Sequence, residues 1–268
     1  MKHVLFYILA AYILFYSSFA YAQKDGKEPG MYWGINVEMY FANRNDALYY
    51  NGGNSRPVSL EDVVYQQQTR EEIMLYLDDD FIIQQIPYRI IYNPGVGVGL
   101  NLQYYTSPKL SFYSNINILL LESYGVFILE RLSPSSDPDS YSNTEQGTIT
   151  ASEKRLNING GAHILFPINK PYIPYLDLGF TASVLQTDSH VMQIGTITRN
   201  MYFSTNYVNE GAIYSAFGYG PQIGLGAQFP LSDNFYVFTG GKIDALKYNL
   251  IETGFNLNYS IVARIMFE

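Results

Sequence analysis

The chain has 268 residues, with Tyr 26, Phe 16, Trp 1 and Cys 0, and a formal net charge of -8. The missing cysteines exclude a disulfide framework, thiol catalysis and cysteine metal sites, and the negative charge excludes nucleic acid or anionic headgroups held by bulk attraction. Only 15% of residues are charged, against roughly 25% in soluble domains, and a mean hydropathy of -0.05 is what alternating apolar and polar faces average to.

In chain order, Lys2 and His3 precede an apolar run from Val4 to Phe15, then Ser17, Ser18 and Ala20-Tyr21-Ala22. This is the layout of an export signal with a small-x-small cleavage site. Residues 1–22 are therefore expected to leave, and the mature chain, 23–268, to begin at Gln23 as one domain. The run is short for a retained anchor, and no later segment supplies the about 18 consecutive apolar residues of a spanning helix.

Eight stretches then alternate with a period of two. The first, Gly30 to Ala42, puts Trp33, Ile35, Val37, Met39 and Phe41 on one face and Gly34, Asn36, Glu38 and Tyr40 on the other. The long segment 43–91 follows. In it the apolar pieces Ile73 to Leu77 and Phe81 to Ile91 are expected as strand continuations in a hairpin around Asp78-Asp79-Asp80; alternatively, Ser59-Leu-Glu-Asp62 and Thr69-Arg-Glu-Glu72 read as capping boxes of a short helix. Asp78-Asp79-Asp80 reads as a solvated tip, because the spaced ligand pattern of a calcium loop is missing.

The second stretch, Tyr92 to Tyr105, sets Val96, Val98, Leu100, Leu102 and Tyr104 against Gly95, Gly97, Gly99, Asn101 and Gln103. The third is Leu110 to Leu121. Segment 122–154 then holds apolar Val126 to Leu132 and a mobile tip, Pro134 to Asn143. The fourth and fifth are Arg155 to Pro167 and Tyr172 to Gln186, followed by 187–214 with apolar Val191 to Tyr202. The apolar pieces of these long segments are expected as strand continuations rising above a membrane, with ten spanning strands as the alternative to eight.

The sixth stretch, Ser215 to Phe229, sets Phe217, Tyr219, Ile223, Leu225, Ala227 and Phe229 against four glycines and two glutamines. The seventh, Phe235 to Tyr248, is blurred by Gly240 and Gly241. The eighth, Gly254 to Glu268, alternates throughout, Phe255, Leu257, Tyr259, Ile261, Ala263, Ile265 and Phe267 sharing a face. Small residues on the polar face suit a barrel of about eight strands, whose bore is just wide enough for side chains. Aromatics at strand ends suit interfacial girdles.

Connections alternate between short turns (Thr106 to Lys109, Ile168 to Pro171, Pro230 to Asn234) and long segments. The fold class expected is all-β, an antiparallel up-and-down transmembrane β-barrel with short periplasmic turns and long extracellular loops. The export signal, this alternation and the aromatic C-terminal strand resemble the eight-stranded outer-membrane barrels of the OmpA and OmpX type. The resemblance implies residence in the outer membrane of a Gram-negative bacterium, among outer-membrane lipids and lipopolysaccharide. It also implies that the insertion machinery reads Tyr259, Ile265 and Phe267, although Glu268 follows where the family ends on Phe.

The polar face carries Glu38, Asp177, Lys242, Asp244 and Arg264, with Arg155 nearer the loops. Closure of the ring makes the first and eighth stretches neighbours, so Glu38 with Arg264, and Lys242 with Asp244 or Asp177, are expected to form a network in the bore. It reads either as a plug of paired charges or as the lining of a gated pore or substrate site. For catalysis the mature chain offers His163, inward by pattern, and Asp188-Ser189-His190, whose adjacent side chains point to opposite faces and make poor triad geometry. No catalytic residue, metal or cofactor is expected. The leading function is a non-enzymatic structural or adhesive role through surface loops with a protein partner. The alternatives are a narrow channel for small solutes or ions and a soluble lipocalin-like barrel.

Overall fold

The computed structural model describes residues 30–53, 59–133, 143–168, 171–201, 215–232, 235–249 and 254–267. The export signal, the tip Pro134 to Asn143 apart from its last residue, and parts of two short turns lie outside them. The elements in order are β1 (Gly30–Phe41), α1 (Arg44–Ala47), a 3-10 turn (Leu48–Tyr50), α2 (Leu60–Val64), α3 (Gln67–Leu77), β2 (Phe81–Gln85) and β3 (Ile90–Tyr92). Then follow β4 (Gly95–Ser107), β5 (Leu110–Arg131), β6 (Thr144–Leu165), β7 (Ile173–Ile194), β8 (Ile197–Asn200), β9 (Ser215–Ser232), β10 (Phe235–Tyr248) and β11 (Asn256–Phe267).

Eight of these strands form a closed ring in which every neighbour is antiparallel. It runs β1, β4, β5, β6, β7, β9, β10, β11 and back to β1. At the closing seam Trp33 lies opposite Phe267 and Phe41 opposite Tyr259. Strands β2, β3 and β8 do not enter the ring. They pair only with the far ends of β5 and β7, so eight strands cross and not ten.

The period of two settles which face meets what. Along β11 the residues Asn256, Asn258, Ser260 and Arg264 are buried while Leu257, Tyr259, Ile261 and Ile265 are exposed. Leu100, Ile116, Ile118 and Leu225 are likewise exposed while Asn101, Asn115 and Asn117 are buried. A soluble barrel would carry these faces the other way round, so the lipocalin-like alternative fails. An unbroken apolar belt around a polar interior is stable only against acyl chains. Tight packing inside explains the small residues: a Cβ on Gly97 would run into Leu119 and Glu38, and one on Gly218 into the Tyr248 ring.

The wall is uneven. Strands β5, β6 and β7 have 22 residues each, whereas β1 and β11 have 12. Crossing needs about 9–11 residues, so the three long strands continue for roughly ten more, about 30 Å along the strand. Their ladders run on past the rim without interruption other than one bulge, at Ser152/Glu153.

Candidate functional site

Two features stand out: a bore filled at every level, and the projecting wall. At the short-turn end the bore is closed by Tyr32, Tyr105, Tyr175, Tyr236, Phe238 and Met266, packed as one cluster with Leu165. Tyr32 meets Tyr105 edge-on, ring centroids 4.9 Å apart.

In the middle, Arg264 Nη2 lies 3.0 Å from Asp177 Oδ2, and His163 Nδ1 lies 2.5 Å from Asp177 Oδ1. A second group centres on Lys242, whose Nζ is 3.2 Å from Glu38 Oε2 and 3.3 Å from Asp244 Oδ2. Thr181 donates to Asp244 at 2.8 Å, and Asn117 donates to Glu38 at 3.1 Å. The five expected charges therefore fall into two groups, and Glu38 meets Lys242 instead of Arg264. The seam register is the cause, since it sets Arg264 opposite Asn36 and leaves Glu38 opposite Val262. All five are buried, where an uncompensated charge is costly, so each acid lies against a cation.

At the mouth sits Arg155, with no exposed surface. Its Nε donates to Glu153 Oε1 at 2.6 Å, its Nη1 donates to Tyr248 Oη at 3.1 Å, and Asp46 Oδ2 lies 3.6 Å away. The rings of Tyr248, Tyr92 and Tyr40 surround the guanidinium at 4.9, 5.3 and 5.9 Å, a cation–π cage. Glu153 also accepts from Tyr50 Oη at 2.6 Å and from Tyr92 Oη at 3.1 Å. Burial, with Glu153 beside them, pushes both phenols up from their ordinary range. Tyr50 and Asp46 belong to the segment just after β1, which turns inward over the mouth as a lid. Asn256 donates to Asp46 at 2.7 Å and pins the lid to β11.

Sequence reasoning missed Glu153, Asp46 and the tyrosine cage. Glu153 left a trace, because Glu153, Arg155, Asn157 and Asn159 share one face by simple alternation. Asp46 left none, since it arrives from a connection whose fold depends on the barrel beneath it.

Above the rim, the inner face of the wall changes character. Phe127, Leu129, Ile149, Met192 and Ile194 point inward and pack with Leu60, Val64, Ile73 and Leu77 from α2 and α3, and with Phe81. These residues form a second core, apart from the bore. Ser59 caps α2 by accepting from the Glu61 amide at 3.2 Å, as its capping box predicts. Thr69 caps nothing: α3 begins at Gln67, so this threonine sits inside the helix, buried, and accepts from Arg199. Ile73 to Leu77, expected as a strand piece, instead forms the end of α3, its apolar side chains spaced to pack on the wall, and Asp78 ends the helix at φ 54, in the left-handed region. The other two acids build the next turn. Asp79 accepts from the Ser133 amide, whose donation holds its carboxyl below the usual range. Asp80 forms a forked pair with Arg70 at 2.9 and 2.9 Å, which likewise lowers it.

The free edge of β2 is guarded. The Phe81 amide donates to Asp80 Oδ1 and the Ile83 amide to Tyr65 Oη, so two donors that an added strand would need are already engaged. The Asp188-Ser189-His190 run is dispersed by a bulge: strict alternation would set Asp188 and His190 on one face, and the register shift at Asp188 turns His190 to the other. Asp188 pairs outward with Lys154 at 2.6 Å, and Ser189 meets Ser152 at 2.7 Å. His190 points inward to the Tyr50 carbonyl at 3.0 Å. Burial pulls its imidazole down to about 4, so Nε2 donates as the neutral ring.

Tyr259 and Ile265 stand on the lipid face of β11, and Phe267 packs at the short-turn end against Trp33 and Phe235, centroids 5.0 and 5.3 Å apart.

No family model matches this chain, and no curated protein matches it in sequence. Among solved structures it is similar to the Neisserial surface protein A, with 11% identity and a TM-score of 0.48, covering 90% of this chain and 99% of that one. It is also similar to Ail, the attachment invasion locus protein of Yersinia pestis (12%, TM-score 0.39, 90% and 100% covered). A third is OprG of Pseudomonas aeruginosa (11%, TM-score 0.36, 90% and 95% covered). These likenesses concern the fold alone. The architecture rests on the strand pairing itself, an eight-stranded antiparallel ring.

Proposed function

We propose that this protein is a non-enzymatic outer-membrane barrel that works at the cell surface, through the wall of β5, β6 and β7 and the two helices that buttress it. One observation carries this reading: the wall has a hydrophobic core of its own, including Leu60, Ile73, Phe127, Leu129 and Ile149, which a barrel needs neither to span nor to close. A partner would be held by side chains on the wall and not by strand addition at β2, whose edge amides are already engaged. The bore speaks against a channel, because an aromatic floor, two charge groups and a lid lie one above another in it.

The test displays the chain on a Gram-negative host and compares it with a variant in which residues 122–152 are replaced by a short Asn-Gly turn. Heat-modifiable gel migration reports barrel closure, and adhesion to host cells or matrix proteins reports the surface role. The shortened barrel is expected to keep its heat shift and lose adhesion. Full adhesion without the wall would sink the reading. Mass measurement of the purified chain checks that it begins at Gln23.

A further inference from the structure

The interior carries more carboxylate than cation. Among the described residues the buried acids are Glu38, Asp46, Glu153, Asp177 and Asp244, and the buried Lys and Arg residues are Arg155, Lys242 and Arg264. Asp177 and Arg264 balance each other, so the excess lies in the other two groups. Lys242 stands between Glu38 and Asp244, and Arg155 between Glu153 and Asp46. Even with His163 counted as positive, the acids lead. An excess charge enclosed in a narrow bore is costly unless something compensates it.

A band of carboxamides connects those two groups. Buried asparagines face inward on four successive strands of the ring: Asn36 on β1, Asn101 on β4, Asn115 and Asn117 on β5, Asn157 and Asn159 on β6. Asn157 is the next inward residue after Arg155, and it lies opposite Asn117, which donates to Glu38. Asn36 donates to Asn117 at 2.5 Å, and Asn101 donates to Asn115. These bonds spend N–H groups and leave oxygens over. The Oδ1 atoms of Asn36, Asn101, Asn157 and Asn159 have no hydrogen-bond partner among the described residues. Asn157 and Asn159, with no exposed surface, lack one for the amide nitrogen as well. Buried carboxamides of folded proteins are held by something, and here what is left over is mostly acceptor.

We propose that this side of the bore binds one dehydrated alkali-metal cation, sodium or potassium, on the unpaired asparagine oxygens next to Glu38. Neutral amide oxygens replace the hydration shell of a monovalent cation as rings of carbonyls do. One positive charge offsets the excess beside Lys242. A divalent ion calls for carboxylates of its own, and both acids of that group already lie against Lys242, at 3.2 and 3.3 Å. The aromatic floor and the lid enclose this layer, so the ion is captured as the barrel closes and stays as a fixed part of the plug.

The experiment refolds the full chain into neutral detergent in sodium chloride, potassium chloride or choline chloride at equal ionic strength. Each sample is desalted, and alkali metal per chain is counted by atomic emission, with heat-modifiable migration reporting barrel closure. The native chain is expected to keep about one ion, enough to offset one excess charge, and to unfold about 3–6 °C higher than the chain refolded in choline chloride. Asn157→Leu with Asn159→Leu is expected to retain at least about tenfold less metal and to keep the heat shift, since leucine fills similar space. Glu38→Gln, which removes the excess charge and keeps the shape, is expected to lose the ion too, and it decides the matter if the double variant fails to close. Glu122→Gln, outward and exposed, should keep the ion. A native chain that leaves both alkali salts free of metal overturns the proposal and assigns the excess to protons on the acids. Native retention in the closed double variant, or in Glu38→Gln, overturns the site.

Discussion

Tyr50 donates its phenolic hydrogen to Glu153 at 2.6 Å, across 103 residues of sequence. That bond joins the lid to the barrel wall, and through Glu153 it joins the lid to the caged Arg155 at 2.6 Å. The mouth is therefore closed by a buried polar cluster and not by a greasy plug.

Removing one member of such a cluster strands the others. Glu153→Ala leaves the Arg155 guanidinium with Asp46, at 3.6 Å, as its one carboxylate among the described residues, and is expected to destabilise the mouth by about 3–5 kcal/mol. Amide exchange in residues 43–50 should quicken while exchange in β11 stays slow. Adding Arg155→Met should restore much of the loss. If the single variant protects the lid as well as the native chain does, the latch is misassigned.

The wall and the barrel should fail separately. Phe127 is fully buried in the upper core, so Phe127→Ala should cost about 3–5 kcal/mol there. Protease sensitivity is expected to rise in 60–85 and 122–152, with the heat-modifiable shift of the barrel retained. Loss of the shift would mean that the two cores are one cooperative unit.

The lid region should loosen in mild acid. His190 titrates near 4 when buried beside Tyr50, against about 6.5 when released. The open form then binds the proton more readily between those values, so stability is full above about pH 6.5 and falls as pH drops toward 4. From pH 7 to pH 5 the loss is about 2 kcal/mol. His190→Gln should flatten that dependence in amide exchange of 49–53 and 187–192. An unchanged slope in the variant would assign it to another group.

A filled bore should not conduct. Planar-bilayer recordings of the refolded chain are expected to show no steady pore. Lys242→Ala should not open one, because the aromatic floor and the Arg155 cluster lie on either side of that layer. A reproducible unitary conductance in the native chain would revive the channel alternative.

Much of this was legible beforehand, and the alternating stretches that end too early have a local cause. Within the membrane the rhythm runs polar inward and apolar outward, as in Asn115, Ile116, Asn117 and Ile118. Beyond Leu121 the same strand keeps its phase while its polarity reverses, with Phe127 and Leu129 inward and Glu130 on the outer face. A search for one sense of alternation ends the third stretch at Leu121, and Val126 to Leu132, expected as a separate continuation above the membrane, is part of the same unbroken ladder to Arg131. The fourth stretch is cut short in the same way, and in the fifth the bulge at Asp188 also shifts the phase, so that His190, Met192 and Ile194 turn inward. Reversal at the rim is physical, because above it the inner face meets helices and the outer face meets water.

What the sequence determined alone was which face of each crossing strand turns inward and the five charges in the middle of the bore, since alternation every second residue is a local property of the chain, whereas the choice of eight crossing strands over ten needed the pairing of the closed ring. Partner choice among those charges, the lid over the mouth and the second core were decided only by tertiary structure. Each depends on the register at which distant strands meet, and no short stretch of sequence encodes a register that is fixed by closing the ring.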